Sequence, residues 1–271
     1  MVWFLIALAA VAGLFVYRVW SKRQRRAALL AAPLSAEERE IVFQQVPLLE
    51  RLPQEFHSKL EGKINLFLDQ VEFYGCDGLD LTEEMQLSIA AQACLIVVNS
   101  DQWYKHLRTI LVYPGAFKSK QTYQDGFVVS EKETYRLGES WQHGPIVLSW
   151  PHSEQGALND LDGHNLVFHE FAHQLDGLSG YTDGAPLLDR GHRFEEWAKV
   201  FSNRFKAHVE DVKHGHKTFL DPYGAEGPEE FFAVAMEVFF EKPQKLQREE
   251  PQVYEQLTKL LNLKPAEWPA D

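Results

Sequence analysis

His169-Glu170-Phe171-Ala172-His173 sets two imidazoles four residues apart, with a carboxylate beside the first. On an α-helix, positions i and i+4 share a face, so both rings can reach one metal ion. Glu170 stands about 100° round the helix, at the edge of that face. A carboxylate there can hold a water and take its proton. The chemistry this set suits is metal-assisted hydrolysis. The pattern is short, and a chain of ordinary composition shows it by coincidence roughly a few per cent of the time. Its setting favours the chemical reading: Leu166, Val167, Phe171, Ala172 and Leu175 give the helix an apolar side to bury.

Two imidazoles need a third protein ligand. The HExxHxxGxxH arrangement is excluded, because Asp176 stands where it needs Gly and Ser179 where it needs His. Asp176 is seven residues from His169, about 10 Å along a straight helix, too far for both ends to hold one zinc at about 2 Å. It either orients an imidazole through a ring N–H or ends the helix. The remaining donors lie on a later helix, Pro228-Glu-Glu-Phe-Phe-Ala-Val-Ala-Met-Glu237, with Glu241 beyond. Its apolar residues, Phe231, Phe232, Val234, Ala235, Val238 and Phe239, predict a mostly buried element. A carboxylate on such a helix needs a partner, and a metal supplies one. Glu230 and Glu237 share a face, and the pattern alone leaves both open.

The elements that must position these residues are legible in outline. Ser35 and Glu38 form a capping box for a helix to about Val46, followed by a break over Leu48–Pro53. Ala27 to Pro33 reads as a short linker. Phe56, Leu60, Ile64, Phe67 and Val71 give helical spacing from Glu55 to about Tyr74. Thr82 caps an almost wholly apolar helix to about Asn99, which predicts a central core element. Residues 107–150 break into short β-branched and aromatic runs separated by Gly, Pro and Asp, predicting a small sheet. Within it, GPIVLSW (144–150) reads as either an edge strand beside the cleft, available for strand addition by an extended substrate, or an ordinary sheet strand. The motif helix should run from Leu161 to Gly177 with Asp162 as its N-cap. Further helices are predicted over Phe194–Val212, Pro228–Glu241 and Gln252–Leu261. His143, His152 and His164 lie near the motif in sequence, and HGH (214–216) reads as a solvated turn.

The chain has 271 residues, enough for one large domain. Its first 16 residues are apolar, Tyr17 follows, and Arg18 and Trp20 come next. About 20 helical residues span the roughly 30 Å hydrocarbon core of a bilayer. The basic residues Arg18, Lys22, Arg23, Arg25 and Arg26 come late in or after this run. That order is opposite to a cleaved signal peptide and directs the C-terminal side to the cytoplasm. The division expected is a transmembrane anchor (1–20), a basic juxtamembrane linker (21–34) and a peptidase domain (35–271). Residues 27–271 hold 22 Lys+Arg against 39 Asp+Glu, a net charge of −17. Such a body repels phosphate backbones, so nucleic acid is not expected as a partner. Cys76 and Cys94 form no CxxC pair, and neither a disulfide framework nor a cysteine metal site is indicated.

Four stretches together resemble the Mlc titration factor A family of bacterial zinc peptidases. They are FYGCDGLDLTEEMQLSIAAQACLIVVN (73–99), VYPGAF (112–117), HEFAHQLDGLSG with the following TDG and Pro (169–186), and PYGAEGPEEFFAVAMEVFFEKP (222–243). The resemblance implies an α+β, mostly helical zincin-like metallopeptidase domain with a small sheet. It implies one Zn2+ held by His169, His173 and Glu230, with Glu170 as catalytic base and Tyr223 as transition-state hydrogen-bond donor. Glu237 is then left as a structural or ligand-orienting carboxylate. It further implies aminopeptidase-type cleavage of peptide or protein substrates, and a transcriptional repressor such as Mlc as a partner. The anchor departs from the family's soluble type member and places this chain at the bacterial inner membrane, single-pass, with its peptidase domain cytoplasmic. A second class of function, a regulatory protein that sequesters a partner without cleaving it, shares the same site. The intact Glu170 favours the enzyme.

Overall fold

The computed structural model describes residues 2–125, 128–136, 138–140, 144–188 and 193–269. Helices dominate. α1 (Val2–Ala31), α2 (Ala36–Gln45) and α3 (Gln54–Gln70) precede β1 (Glu72–Gly75) and α4 (Glu83–Ile96). The strand-rich stretch follows: β2 (Thr109–Tyr113), β3 (Phe117–Asp125), β4 (Val128–Arg136), β5 (Gly138–Ser140) and β6 (Ile146–Ser149). Then come α5 (Trp150–Leu158), α6 (Leu166–Asp176), α7 (Phe194–Lys213), α8 (Pro228–Glu241), α9 (Pro243–Glu249) and α10 (Pro251–Leu261).

The sheet runs β1-β2-β6-β5, and β3 and β4 form a separate antiparallel hairpin. β1, β2 and β6 are parallel, and β5 lies antiparallel on β6. β6 is therefore internal, with all four residues buried. This corrects the edge-strand alternative for 144–150: its continuous apolar run is that of a strand covered on both sides. The edge beside α6 is β5. The helix expected to reach Tyr74 ends at Gln70, because Glu72–Gly75 pairs with β2. The break over 48–53 is mostly a 3-10 turn, Pro47–Arg51, that buries Leu48 and Leu49.

α4 and α8 form the centre of the core. Residues 87–96 of α4 and 231–241 of α8 are buried without interruption. Both are buried around the full circumference and mostly apolar, and of the polar side chains they bury, Gln92 on α4 and Glu237 and Glu241 on α8 face α6 and its entry. α6 packs between them and beneath β5 and β6.

The segment expected as a linker is helical. α1 continues unbroken to Ala31 and lies against α3. Gly62 lets the two backbones meet, since a Cβ there would strike the Leu30 carbonyl. Asn65 Nδ2 donates to the Ala32 carbonyl at 2.9 Å, Arg25 pairs with Asp69, and the Arg26 guanidinium stands 5.5 Å from the Trp103 ring. Arg25 and Arg26, expected in the basic linker, thus direct their guanidinium groups onto the protein. Among the described residues α1 is the one helix long and apolar enough to cross a membrane.

Candidate metal centre on α6 and α8

α6 starts later than its sequence suggested. Asn165, not Asp162, is the N-cap, its side chain accepting the Phe168 N–H at 2.9 Å. Asp162 instead accepts from the His164 N–H at 2.8 Å in the turn before the helix. The reason is tertiary. Asn165 also donates through Nδ2 to Gln92 Oε1 on α4, at 2.9 Å, which fixes where α6 can begin.

α8 holds that entry from the other side. Its Glu237 Oε2 accepts the Asn165 N–H at 2.5 Å, and its Glu241 Oε2 accepts the Gly163 N–H at 2.8 Å. Glu237 and Glu241 are one helical turn apart on one face. Two buried carboxylates on α8 thus take backbone donors that lead into α6, donors that would otherwise be costly to bury.

Onto this frame the chain brings its titratable side chains. His169 Nε2, His173 Nε2 and Glu230 Oε2 converge: the separations are 2.9 Å (His169 to Glu230), 3.3 Å (His173 to Glu230) and 3.2 Å between the two rings. Four donors at about 2.0–2.1 Å from a tetrahedral metal stand about 3.3 Å from one another. One atom from each of these residues can therefore be spanned by a single ion, and two nitrogens with one carboxylate oxygen are a donor set that zinc accepts. The fourth position of such a site is the open one, as hydrolysis needs. The fit is also electrostatic. Burial opposes charging of His169, yet its bonds to Glu230 and Glu237 outweigh this and raise its pKa well above the usual histidine value. Burial likewise pushes Glu230 up, but the two histidines hold it far below the usual carboxylate range. Negative charge is thus already committed to the point where the imidazoles meet.

The other ring nitrogen of His169 is taken. Nδ1 donates to Glu237 Oε1 at 2.9 Å, which leaves Nε2 as the ring nitrogen that faces Glu230 and His173 and that a metal would take. Glu237, open in the sequence as a rival donor, lies on the far side of the ring from the point of convergence. Glu170, the next residue, is 5% exposed. β5 passes over it so closely that a Cβ at Gly138 would collide with its carboxylate.

Tyr223 reaches the site from a different kind of element. It sits on a four-residue 3-10 turn, Pro222–Ala225, with its ring centroid 5.8 Å from that of His169 and 52% of its surface exposed. Asp221 caps this turn by accepting the Tyr223 N–H at 2.7 Å, and buried His208 of α7 bonds the Asp221 carbonyl through Nε2 at 3.0 Å. His208 was not singled out by any motif. An isolated histidine on a helix carries no signal until the fold brings a partner.

The remaining histidines are distributed otherwise. His164 Nδ1 is 3.6 Å from Asp221 Oδ2, beside the Tyr223 turn. His152 bonds Ser149 through Nδ1 at 2.8 Å. His143 lies outside the described residues. His214 and His216 are exposed next to Glu210 and Asp211, as a solvated turn.

Comparison with known proteins agrees with this geometry. Residues 19–261 match the family model described as glucose-regulated metallo-peptidase M90. The chain is 40% identical to an uncharacterized protein of Synechocystis sp., over 96% of this chain and 95% of that one. That coverage leaves too little of the chain unmatched to omit all of α1. It is 34% identical to Mlc titration factor A of Pectobacterium atrosepticum, over 77% of this chain and 80% of the other. It is 31% identical to Mlc titration factor A of Yersinia pestis, over 78% of each.

Proposed function

Because the chain belongs to the glucose-regulated metallo-peptidase M90 family, we propose that the α6–α8 cluster is a one-zinc peptidase centre with His169, His173 and Glu230 as ligands. The observation that carries this is the convergence of one atom from each at tetrahedral spacing, beside a buried Glu170. When bound, zinc supplies Lewis-acid polarisation of the peptide carbonyl and lowers the pKa of a water towards about 7.

The chain's own residues do the rest. Glu170 accepts the proton of the attacking water and delivers it to the leaving amine. Tyr223 donates its hydroxyl hydrogen bond to the oxyanion that develops on the carbonyl oxygen. Glu237 keeps the His169 tautomer fixed through Nδ1. β5 supports a binding mode for extended substrates: it is the edge strand beside α6, and among the described residues no strand pairs with its outer side. The reading extends by relatedness to aminopeptidase-type specificity, and to a transcriptional regulator such as Mlc as partner. The apolar helix supports a single-pass anchor over 1–20, joined through 21–34 to a domain over 35–271. The basic residues at its end support the cytoplasmic side of a bacterial inner membrane for that domain.

The test is hydrolysis of a mixed peptide library by the zinc-loaded full chain in detergent, beside Glu170→Gln. Cleavage by the parent and a loss of at least about 10²-fold in the variant, with zinc retained, is expected. A variant that loses zinc would make Glu170 a ligand and overturn its role as base. Equal cleavage by both would place the activity elsewhere.

A further inference from the structure

The two histidines of the centre are not held alike. His169 Nδ1 donates to Glu237. His173 Nδ1 is buried and has no hydrogen-bond partner among the described residues. Three residues further on, one helical turn along the same face, Asp176 is fully buried and its Oδ1 also lacks a partner. A buried ring nitrogen and a buried carboxylate oxygen, each left alone, are costly, and pairing them through a proton on the ring removes both penalties.

The second oxygen of Asp176 is engaged. Oδ2 accepts the Gly184 N–H at 2.7 Å in a buried bond, and the Gly184 carbonyl accepts from Trp197 Nε1 at 3.0 Å. Gly184 has φ +77°, and a Cβ there would lie 2.5 Å from the Pro228 carbonyl oxygen. Pro228 opens α8 two residues before Glu230. The loop after α6 is therefore pressed against the helix start that carries the third proposed ligand.

We propose that Asp176 is a positioning residue for the metal centre: Oδ1 accepts the His173 Nδ1–H, while Oδ2 holds Gly184 against the start of α8. The inference rests on the ligand assignment above. A carboxylate on Nδ1–H keeps the Nε2 lone pair directed at the metal, as Glu237 does for the other ring. One buried side chain then sets both the second imidazole and, through the loop, the approach of Glu230. Neither task requires Asp176 to touch the substrate.

The test uses the full chain with zinc affinity measured by chelator competition, and imidazole proton–nitrogen NMR of the zinc-loaded protein. The unmodified chain should show a His173 proton on Nδ1, protected from solvent exchange. Asp176→Ala should remove that protection and weaken zinc binding by about 10- to 100-fold. Gly184→Ala should weaken zinc while leaving the His173 proton protected. No protected proton in the unmodified chain overturns the proposal without any variant having to fold. So does zinc affinity within about twofold of the parent in Asp176→Ala, provided His173→Ala loses zinc. If His173→Ala keeps zinc too, the ligand assignment has failed and this inference falls with it.

Discussion

His169 and Glu230 stand on two helices whose contact is nearly closed to water, whereas Tyr223 stands on a short 3-10 turn with half its surface in solvent. Around the first pair, carboxylates of α8 take a ring N–H and two backbone N–H groups of α6 and its entry. Around the second, one capping aspartate and one histidine of α7 hold the turn. The difference follows from what each part is proposed to do. Metal ligands must be converged and desolvated before the ion arrives, or the ordering costs affinity. An oxyanion donor meets its partner only when substrate is bound, and it must remain accessible until then.

The contrast predicts that damage on the two sides separates. Tyr223→Phe should lower kcat by about 10²- to 10³-fold, the usual loss of one oxyanion donor, with zinc affinity unchanged. A parallel loss of zinc would show that the turn belongs to the cradle and would break the comparison. Glu237→Ala should do the opposite first. Zinc affinity should fall by about 10- to 100-fold in a chelator titration, with kcat recovering at saturating zinc.

The buried side also has a pH signature away from the proposed ligands. Burial raises the Glu241 carboxyl from 4.5 to about 8. Its folded pKa lies above the unfolded value, so the stability that the neutral acid contributes is complete below 4.5. That stability is lost as pH rises through the window to about 8. The loss is at most about 1.4 kcal/mol per pH unit. Denaturant unfolding of Glu241→Gln should lack this decline, and a decline of the same slope in the variant would assign it to another group. The smallest effect is expected at the turn. His208→Ala removes one hydrogen bond to the Asp221 carbonyl and should lower kcat by about two- to tenfold without changing zinc affinity. A larger drop would make the turn as dependent on its scaffold as the cradle is.

Much of this was legible locally. The Ser35–Glu38 capping box, Thr82 before α4, and Pro228 and Pro243 around α8 set those boundaries, because a cap or a missing N–H acts within one turn. The α5 and α9 helices were missed. Both begin with Pro at their second or first position and are short, so periodicity had little length in which to register. The β1 strand was absorbed into the preceding helix, since its four residues become a strand only by pairing with β2, more than thirty residues away.

The same division runs through the site. The helical repeat alone put the two imidazoles on one face at metal spacing and Glu170 at the edge of that face. The sequence also limited the further donors to a buried, acid-bearing helix near 230. Which carboxylate meets which nitrogen was decided by tertiary structure alone: Glu230 lies at the two Nε2 atoms and Glu237 at Nδ1. Two glutamates seven residues apart on one face are equivalent in the sequence pattern. They become distinct only when α6 crosses α8 and puts a single ring between them.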